Sequence, residues 1–120
     1  MLTWPNRQTV EASARAWATA LLHHHAGVVR VGYFGSYARG DWGVGSDLDL
    51  LVIVAHADEP FEVRGRAFSL KHLPVPADLL VYTLAEWNRL LTTSGFVQTI
   101  ARDARWLIHR ADEFAADSYA

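Results

Sequence analysis

Two short groups of residues have the types and spacing that chemistry on phosphates requires. Gly35 and Ser36 form a Gly-Ser pair, and ten intervening residues separate this pair from Asp47 and Asp49. A glycine lets the backbone approach a bulky ligand, and the free N–H groups at the start of a following helix bind anions. We interpret Gly35 and Ser36 as a candidate phosphate site, to which Arg39, one helical turn later, adds a charge-assisted contact. Taken alone, the pair more often marks an ordinary strand-to-helix turn capped by the serine.

The two aspartates are suited to holding a cation. Asp47 and Asp49 project from the same face of a strand, because they are two residues apart. Carboxylates so close repel each other and raise the pKa of one of them, unless a divalent cation lies between them. Hard oxygen ligands of this kind suit Mg²⁺, which takes further ligands from substrate phosphates. The alternative is that the acids only open a strand or a turn.

A third acid, Asp78, lies inside the otherwise apolar run VPADLLVY. We expect this charge to be buried, where it needs a partner. If its strand lies beside the strand that carries Asp47 and Asp49, the three carboxylates form a cluster able to hold two metal ions. The alternative is a structural aspartate bonded to backbone N–H groups or to an arginine.

The hydrophobic pattern predicts the elements that position these residues. In chain order they are a helix over 9–25, a strand over 28–34, a short helix over 36–40, a strand over 48–54, a short helix within 61–72, a strand over 77–82, helices over 84–91 and 96–104, a strand over 106–109 and a helical or frayed tail over 111–120. Helices alternate with strands in this order. We therefore predict the α/β (α+β) class, with helices packed on a small mixed sheet.

Composition narrows the classes of function. A chain of 120 residues fits one domain spanning 1–120, and 51% hydrophobic residues indicate a compact fold. The net charge of −2 argues against direct nucleic-acid binding, which needs a broad basic surface. Because the chain has no cysteine, disulfides, thiol chemistry and cysteine-bound zinc are excluded. No apolar signal core or membrane span is visible, so we expect a cytoplasmic protein without membrane contact.

The Gly-Ser pair, the Asp-x-Asp pair and the later Asp78 together resemble the nucleotidyltransferase domain of the DNA polymerase β superfamily, in its minimal stand-alone form. The similar region runs from about residue 28 to residue 83. The resemblance implies the polymerase β-like fold. It also implies that Gly35 and Ser36 bind the β and γ phosphates of a nucleoside triphosphate and that Asp47, Asp49 and Asp78 hold two Mg²⁺ ions. An acceptor hydroxyl would then attack the α-phosphorus of ATP or another nucleotide.

Only the same resemblance indicates which molecule carries the acceptor hydroxyl. Minimal nucleotidyltransferases similar to this chain are often encoded beside a small helical HEPN-domain protein, and some act as antitoxins that attach AMP to a tyrosine of that HEPN toxin. The resemblance therefore implies a HEPN-domain partner and a complex with it. Two alternatives stay open: a binding module that neutralises its partner by contact, and a nucleotidyltransferase for a small molecule such as an aminoglycoside.

Further residues allow both a functional and a structural interpretation. Trp42 lies in the loop between the two motifs, where it would line the nucleotide pocket or meet a partner. The run of histidines at 23–25 is better explained as the end of the first helix than as a metal tract. We predict that Arg64, Arg66 and Lys71 form a solvated basic face.

Overall fold

The computed structural model describes residues 3–113, and within them helices cover both faces of one four-stranded sheet. The elements are α1 (Arg7–His24), β1 (Val28–Phe34), α2 (Ser36–Arg39), β2 (Leu48–Val54), a 3₁₀ helix (Phe61–Ala67), β3 (Ala77–Thr83), α3 (Leu84–Thr93), α4 (Gly95–Asp103), β4 (Arg105–His109) and α5 (Arg110–Glu113). This order confirms the predicted α/β class. Residues 111–113 of the predicted tail belong to α5, and the rest of the tail lies outside the described residues.

The sheet is mixed, with the strand order β3-β2-β1-β4. β1 runs antiparallel to β2 and β4, and β2 runs parallel to β3. β2 is central, and every residue of it except Asp49 is buried. A strand buried on both faces is expected to read as a continuous apolar run, which explains the sequence LDLLVIV. Asp49 is therefore a polar exception at the start of the most buried strand.

Each face of the sheet carries its own hydrophobic core. On one face α1 presents Val10, Ala14 and Ala18, spaced four residues apart, to the even-numbered residues of β2. On the other face Leu51 and Ile53 contact side chains of α3 and α4. Because side chains alternate along a strand, Asp49 points to the same face as Leu51 and Ile53. The helices α3 and α4 thus cover the face on which the acidic pair lies.

Several predicted boundaries differ from the structure by one or two residues. α1 begins at Arg7, before the predicted start, because the Asn6 side chain accepts a hydrogen bond from the Thr9 amide at 2.9 Å and caps the helix. The helix predicted within 61–72 is a 3₁₀ helix that ends at Ala67. Short runs are typical of 3₁₀ helices, whose hydrogen-bond geometry is poorer than that of an α-helix. No helix within residues 3–113 combines the length and the apolar character needed to cross a bilayer.

The prediction of a solvated basic face is wrong for Arg64. Its side chain is only 9% exposed and forms a two-pronged ion pair with Glu86, with N–O distances of 2.6 and 3.0 Å. Glu86 also belongs to the capping box at the start of α3, where its carboxylate accepts from the Thr83 amide. The Arg64 guanidinium and these bonds hold the pKa of Glu86 at about 2. Arg64 thereby fastens the 3₁₀ helix to α3, whereas Arg66 and Lys71 are exposed as predicted.

We expect Arg64→Ala to lower the free energy of unfolding by about 2 kcal/mol, because it leaves Glu86 without its charge-assisted partner. Urea unfolding followed by circular dichroism measures this change. Arg66→Ala removes the same charge from an exposed site of the same helix and should change stability by less than about 0.5 kcal/mol. Equal losses in the two variants would contradict a structural role for the ion pair.

The pH dependence of this ion pair has a definite sign. The pKa of Glu86 lies at about 2, below its ordinary value of 4.5. The stabilisation is therefore complete above about pH 4.5 and is lost as the pH falls towards 2. The difference in stability between the wild type and Arg64→Ala should shrink across this interval. A constant difference would show that the ion pair is not its source.

Candidate functional site

A cleft of about 410 Å³ opens at the end of the sheet, between the turn that joins β1 to α2 and the helix α4. Five residues predicted from the sequence line this cleft: Gly35, Ser36, Arg39, Asp47 and Asp49. The structure thus brings the two halves of the motif together. α4 supplies a further wall, formed by Phe96, Thr99, Ile100 and Asp103, which the sequence analysis did not predict. Nothing local in the sequence indicates this wall, because it depends on how α4 packs on the sheet.

Gly35 has a backbone conformation that residues other than glycine rarely adopt. It is the N-cap of α2 with φ of +78°, and a β-carbon at this position would overlap the Asp49 carboxylate. The group that needs the space left by the missing β-carbon is a side chain of the protein itself, and the predicted approach of a ligand to Gly35 stays a prediction. The contact places Asp49 directly beside the candidate phosphate site.

Ser36 does not cap α2, contrary to the alternative interpretation. It is the first residue of the helix, and the cap at Gly35 makes no side-chain hydrogen bond. Within the described residues the Ser36 hydroxyl has no hydrogen-bond partner, although the side chain lines the cleft. The hydroxyl and the first amides of α2, which lack acceptors inside the helix, are therefore free for a ligand.

Aromatic residues hold the short helix α2 in place. The buried Tyr37 hydroxyl accepts a hydrogen bond from the Trp4 indole N–H at 2.8 Å and donates to the Pro5 carbonyl at 3.1 Å. Trp42 stacks on the Tyr37 ring, with 5.6 Å between centroids. Trp42 thus packs against α2 and does not line the cleft, so that part of its prediction is wrong. The predicted contact of Trp42 with a partner stays a prediction.

The three aspartates lie at one end of two neighbouring strands. β2 and β3 are paired in parallel, and Asp49 lies directly opposite Asp78 in their register. This confirms the expected neighbourhood of the strands. The expectation that Asp78 is buried is wrong, because Asp78 is near the start of an edge strand and is exposed. Asp47 is also exposed, whereas Asp49 is half-buried.

The electrostatic surroundings of Asp49 disfavour its negative charge. Burial, followed by the charges of Asp78 and Asp47, raises the pKa of Asp49 above its ordinary value, and Arg39 partly offsets this effect. A cation beside Asp49 would relieve the repulsion. The carboxylate oxygens of Asp49 and of its neighbours Asp47 and Asp78 are the donors that Mg²⁺ prefers. The donor chemistry of this end of the sheet therefore fits a hard divalent cation.

The arrangement of these side chains is not that of a formed metal centre. Across residues 3–113, no group of three or more His, Cys, Asp or Glu side chains stands in position to hold a metal ion. The three-carboxylate site stays a prediction, and it needs the exposed Asp47 and Asp78 side chains to turn towards Asp49. The histidines at the end of α1 likewise form no such metal-binding group within the described residues. His23 and His24 lie in the last turn of this helix, as predicted.

Arg39 lies at the cleft but already interacts with two carboxylates. Its Nη1 is 3.7 Å from Asp103 and its Nε is 3.3 Å from Asp41. The Arg39 side chain is still 48% exposed, so these ion pairs are in contact with water and weak. An incoming phosphate would therefore compete with Asp41 and Asp103 for the guanidinium.

A protein-family model and several solved structures are similar to this chain. The model of the nucleotidyltransferase domain family matches residues 16–107. A crystal structure from Sulfolobus solfataricus, assigned as a nucleotidyltransferase, has 20% identity and a TM-score of 0.64, and the alignment covers 87% of this chain and 84% of that one. The crystal structure of a toxin-antitoxin with AMP-PNP has 17% identity and a TM-score of 0.50, and the alignment covers 91% of this chain and 77% of that one. Curated proteins gave no match.

The family match and the geometry agree. The matched residues include both halves of the motif and the strand that carries Asp78, and they make up well over half of the chain. At the identities found, the two solved structures support the fold. The chain therefore belongs to the nucleotidyltransferase domain family.

Proposed function

We propose that the chain is a Mg²⁺-dependent nucleotidyltransferase that transfers a nucleoside monophosphate, AMP from ATP, to a hydroxyl acceptor. One observation carries this proposal: the Gly35 turn and the Asp49 carboxylate are in contact, and both line one cleft. This contact puts a candidate phosphate site next to a candidate cation site. Such an arrangement suits a substrate that reaches the enzyme as a magnesium complex of a triphosphate.

The residues of the cleft have separate tasks in this proposal. Gly35 and Ser36 bind the β and γ phosphates through backbone N–H groups and the free hydroxyl, and Arg39 adds a positive charge. Two divalent cations held by Asp47, Asp49 and Asp78 would stabilise the entering and departing oxygens. The acceptor oxygen forms a bond to the α-phosphorus as the bond to the pyrophosphate oxygen breaks. Pyrophosphate leaves with the electron pair of the broken bond, and the acceptor hydroxyl gives its proton to solvent water.

In this reaction the main task of the protein is to position the two substrates. Holding the acceptor oxygen in line with the α-phosphorus lowers the entropic barrier of the transfer. A nucleophilic side chain on the enzyme is not needed, which agrees with a chain that contains no cysteine. Such a transfer needs a fixed phosphate site and cations that neutralise the charge of the phosphates, and in this proposal Asp47, Asp49 and Asp78 would hold those cations.

For the acceptor we propose a tyrosine of a HEPN-domain toxin, so that the chain acts as the antitoxin in a cytoplasmic complex with that protein. The proposal rests on the resemblance to minimal nucleotidyltransferases of this type. The fold of a toxin-antitoxin structure containing AMP-PNP supports it, because that structure aligns with 91% of this chain.

The test is incubation of the purified protein with α-phosphate-labelled ATP, Mg²⁺ and the product of any adjacent HEPN-type gene. We expect label on a tyrosine of the partner, and no label with Asp47→Asn. A complex that forms without any label, while Asp47→Asn still neutralises the toxin, would instead indicate action by contact. Label on an added aminoglycoside, and none on the partner, would indicate the small-molecule alternative.

The ion pairs of Arg39 predict a measurable change in nucleotide affinity. We expect Asp103→Asn to tighten the binding of Mg²⁺-ATP about twofold to fivefold, because removal of a partly exposed ion pair is worth up to about 1 kcal/mol. Isothermal titration calorimetry measures this affinity. Asp58→Asn removes the same charge beyond the opposite end of β2 and is the matched control. Weaker binding by Asp103→Asn would show that Asp103 holds Arg39 in its productive position.

A further inference from the structure

Phe96 is an exposed aromatic residue in the wall of the cleft. Its side chain is 62% exposed, and it lines the cleft together with Ser36 and Asp49. Phe61, which is also exposed, packs its ring on Tyr82 with 5.0 Å between the ring centroids. Within the described residues Phe96 has no comparable aromatic partner. An exposed apolar ring in a cleft that also contains Arg39 and Asp47 is suited to an apolar part of the ligand.

The helix α4 gives the cleft two chemically different ends. Asp103, at the C-terminal end of α4, contacts Arg39 of the candidate phosphate site. Phe96 precedes Asp103 by seven residues, which places it roughly 10 Å away along the helix axis at ~1.5 Å per residue. Along the wall formed by α4, the cleft is therefore charged where Asp103 meets Arg39 and apolar at Phe96. A nucleoside triphosphate has the same polarity, with charged phosphates at one end and a flat aromatic base at the other.

We infer that Phe96 is the stacking residue for the nucleobase, an inference that rests on the proposed function. The base would lie against the exposed face of the phenyl ring while the phosphates reach Gly35 and Ser36. Stacking on an aromatic side chain accepts any base, because every base has a π-face. Phe96 thus supplies affinity for the nucleoside part of the substrate, which the phosphate site cannot supply.

Few hydrogen-bonding side chains lie near Phe96 that could distinguish one base from another by the polar groups on its edge. The nearest polar side chain on the same helix wall is Thr99, whose hydroxyl donates to the Gly95 carbonyl at 3.0 Å. Ile100 is apolar, and Asp103 interacts with Arg39. The other polar residues of the cleft belong to the candidate phosphate and cation sites. The enzyme is therefore expected to accept several nucleotides, with purines bound better because they stack over a larger area.

The test compares two ligands that share the phosphates but differ in the base. Calorimetry with Mg²⁺-ATP and with Mg²⁺-tripolyphosphate is carried out on the wild type, Phe96→Ala, Phe96→Trp and Phe61→Ala. We expect Phe96→Ala to raise the Kd for ATP roughly fivefold to tenfold, the lower part of the range for base stacking. The Kd for tripolyphosphate should stay within about twofold, because this ligand has no base. Phe96→Trp should retain ATP affinity, and Phe61→Ala should behave as the wild type.

The outcomes separate this inference from the proposed function. An unchanged Kd for ATP in Phe96→Ala, with tripolyphosphate still bound, would overturn the role of Phe96 and leave the proposed function standing. A wild type that binds neither ligand would overturn the proposed function itself. The wild-type Kd values for ATP, GTP, CTP and UTP should lie within about tenfold of one another. A preference of more than a hundredfold for one base would overturn recognition by stacking alone.

Discussion

Asp49→Asn is expected to abolish nucleotidyl transfer while making the metal-free protein more stable. Loss of this carboxylate removes the central donor of the candidate cation site, and we expect the rate to fall roughly 10³-fold or more. The stability should rise by about 0.5–1 kcal/mol, because the charge of Asp49 is partly buried and repelled by two other carboxylates. Single-turnover assays with labelled ATP and denaturant unfolding in EDTA measure the two effects.

The sign of the pH dependence follows from the raised pKa of Asp49. A carboxyl whose pKa is higher in the folded protein than its ordinary 3.8 destabilises the fold wherever it is ionised. The gain in stability of Asp49→Asn should therefore be full at neutral pH. It should disappear as the pH falls through the raised pKa and below about 3.8, where the carboxyl is protonated in both states. A gain that is independent of pH would contradict this cause.

Mg²⁺ provides the complementary measurement. A cation that binds only the folded protein stabilises it, by about 1.4 kcal/mol at ten times its Kd. Mg²⁺ should therefore raise the melting temperature of the wild type and leave that of Asp49→Asn almost unchanged. The Asp78→Asn variant keeps the half-buried Asp49 carboxylate, so Mg²⁺ should raise its melting temperature by part of the wild-type shift. Equal shifts in all three proteins would show that Mg²⁺ acts elsewhere on the chain.

Gly35→Ala should damage both the fold and the activity. Its backbone conformation, with φ of +78° and ψ of −154°, costs an alanine about 1–3 kcal/mol, and the new methyl group would overlap the Asp49 carboxylate. We expect a loss of about 2–3 kcal/mol in the free energy of unfolding. The rate of transfer should fall at least about 100-fold, because Asp49 must move from its place beside the phosphate site. Denaturant unfolding and the labelled-ATP assay measure these effects.

Gly45→Ala separates the two causes. Gly45 has a similar φ of +87°, but a β-carbon there meets no atom within 4 Å. This variant should lose about 1 kcal/mol from backbone strain and keep transfer within a few-fold of the wild type. If Gly45→Ala were as inactive as Gly35→Ala, backbone strain in the loop, and not the contact with Asp49, would explain the loss.

The elements and the motif are readable from the sequence because they depend on local patterns. Alternating and helical spacings of apolar residues predict the order of helices and strands, and the structure confirms that order. The spacing of Gly35, Ser36, Asp47 and Asp49 indicates a phosphate site beside acidic residues, and all four line the cleft. Glycine and aspartate are informative here because few other residues can take their places.

Other features follow only from the tertiary structure. The pairing of Asp49 with Asp78 depends on the order and register of the strands, and the exposure of Asp78 depends on β3 being an edge strand. The ion pair of Arg64 with Glu86 joins elements that are distant in sequence. The wall formed by α4 depends on where the helix packs. Periodicity determines which face of an element is apolar, but long-range packing decides which element that face meets.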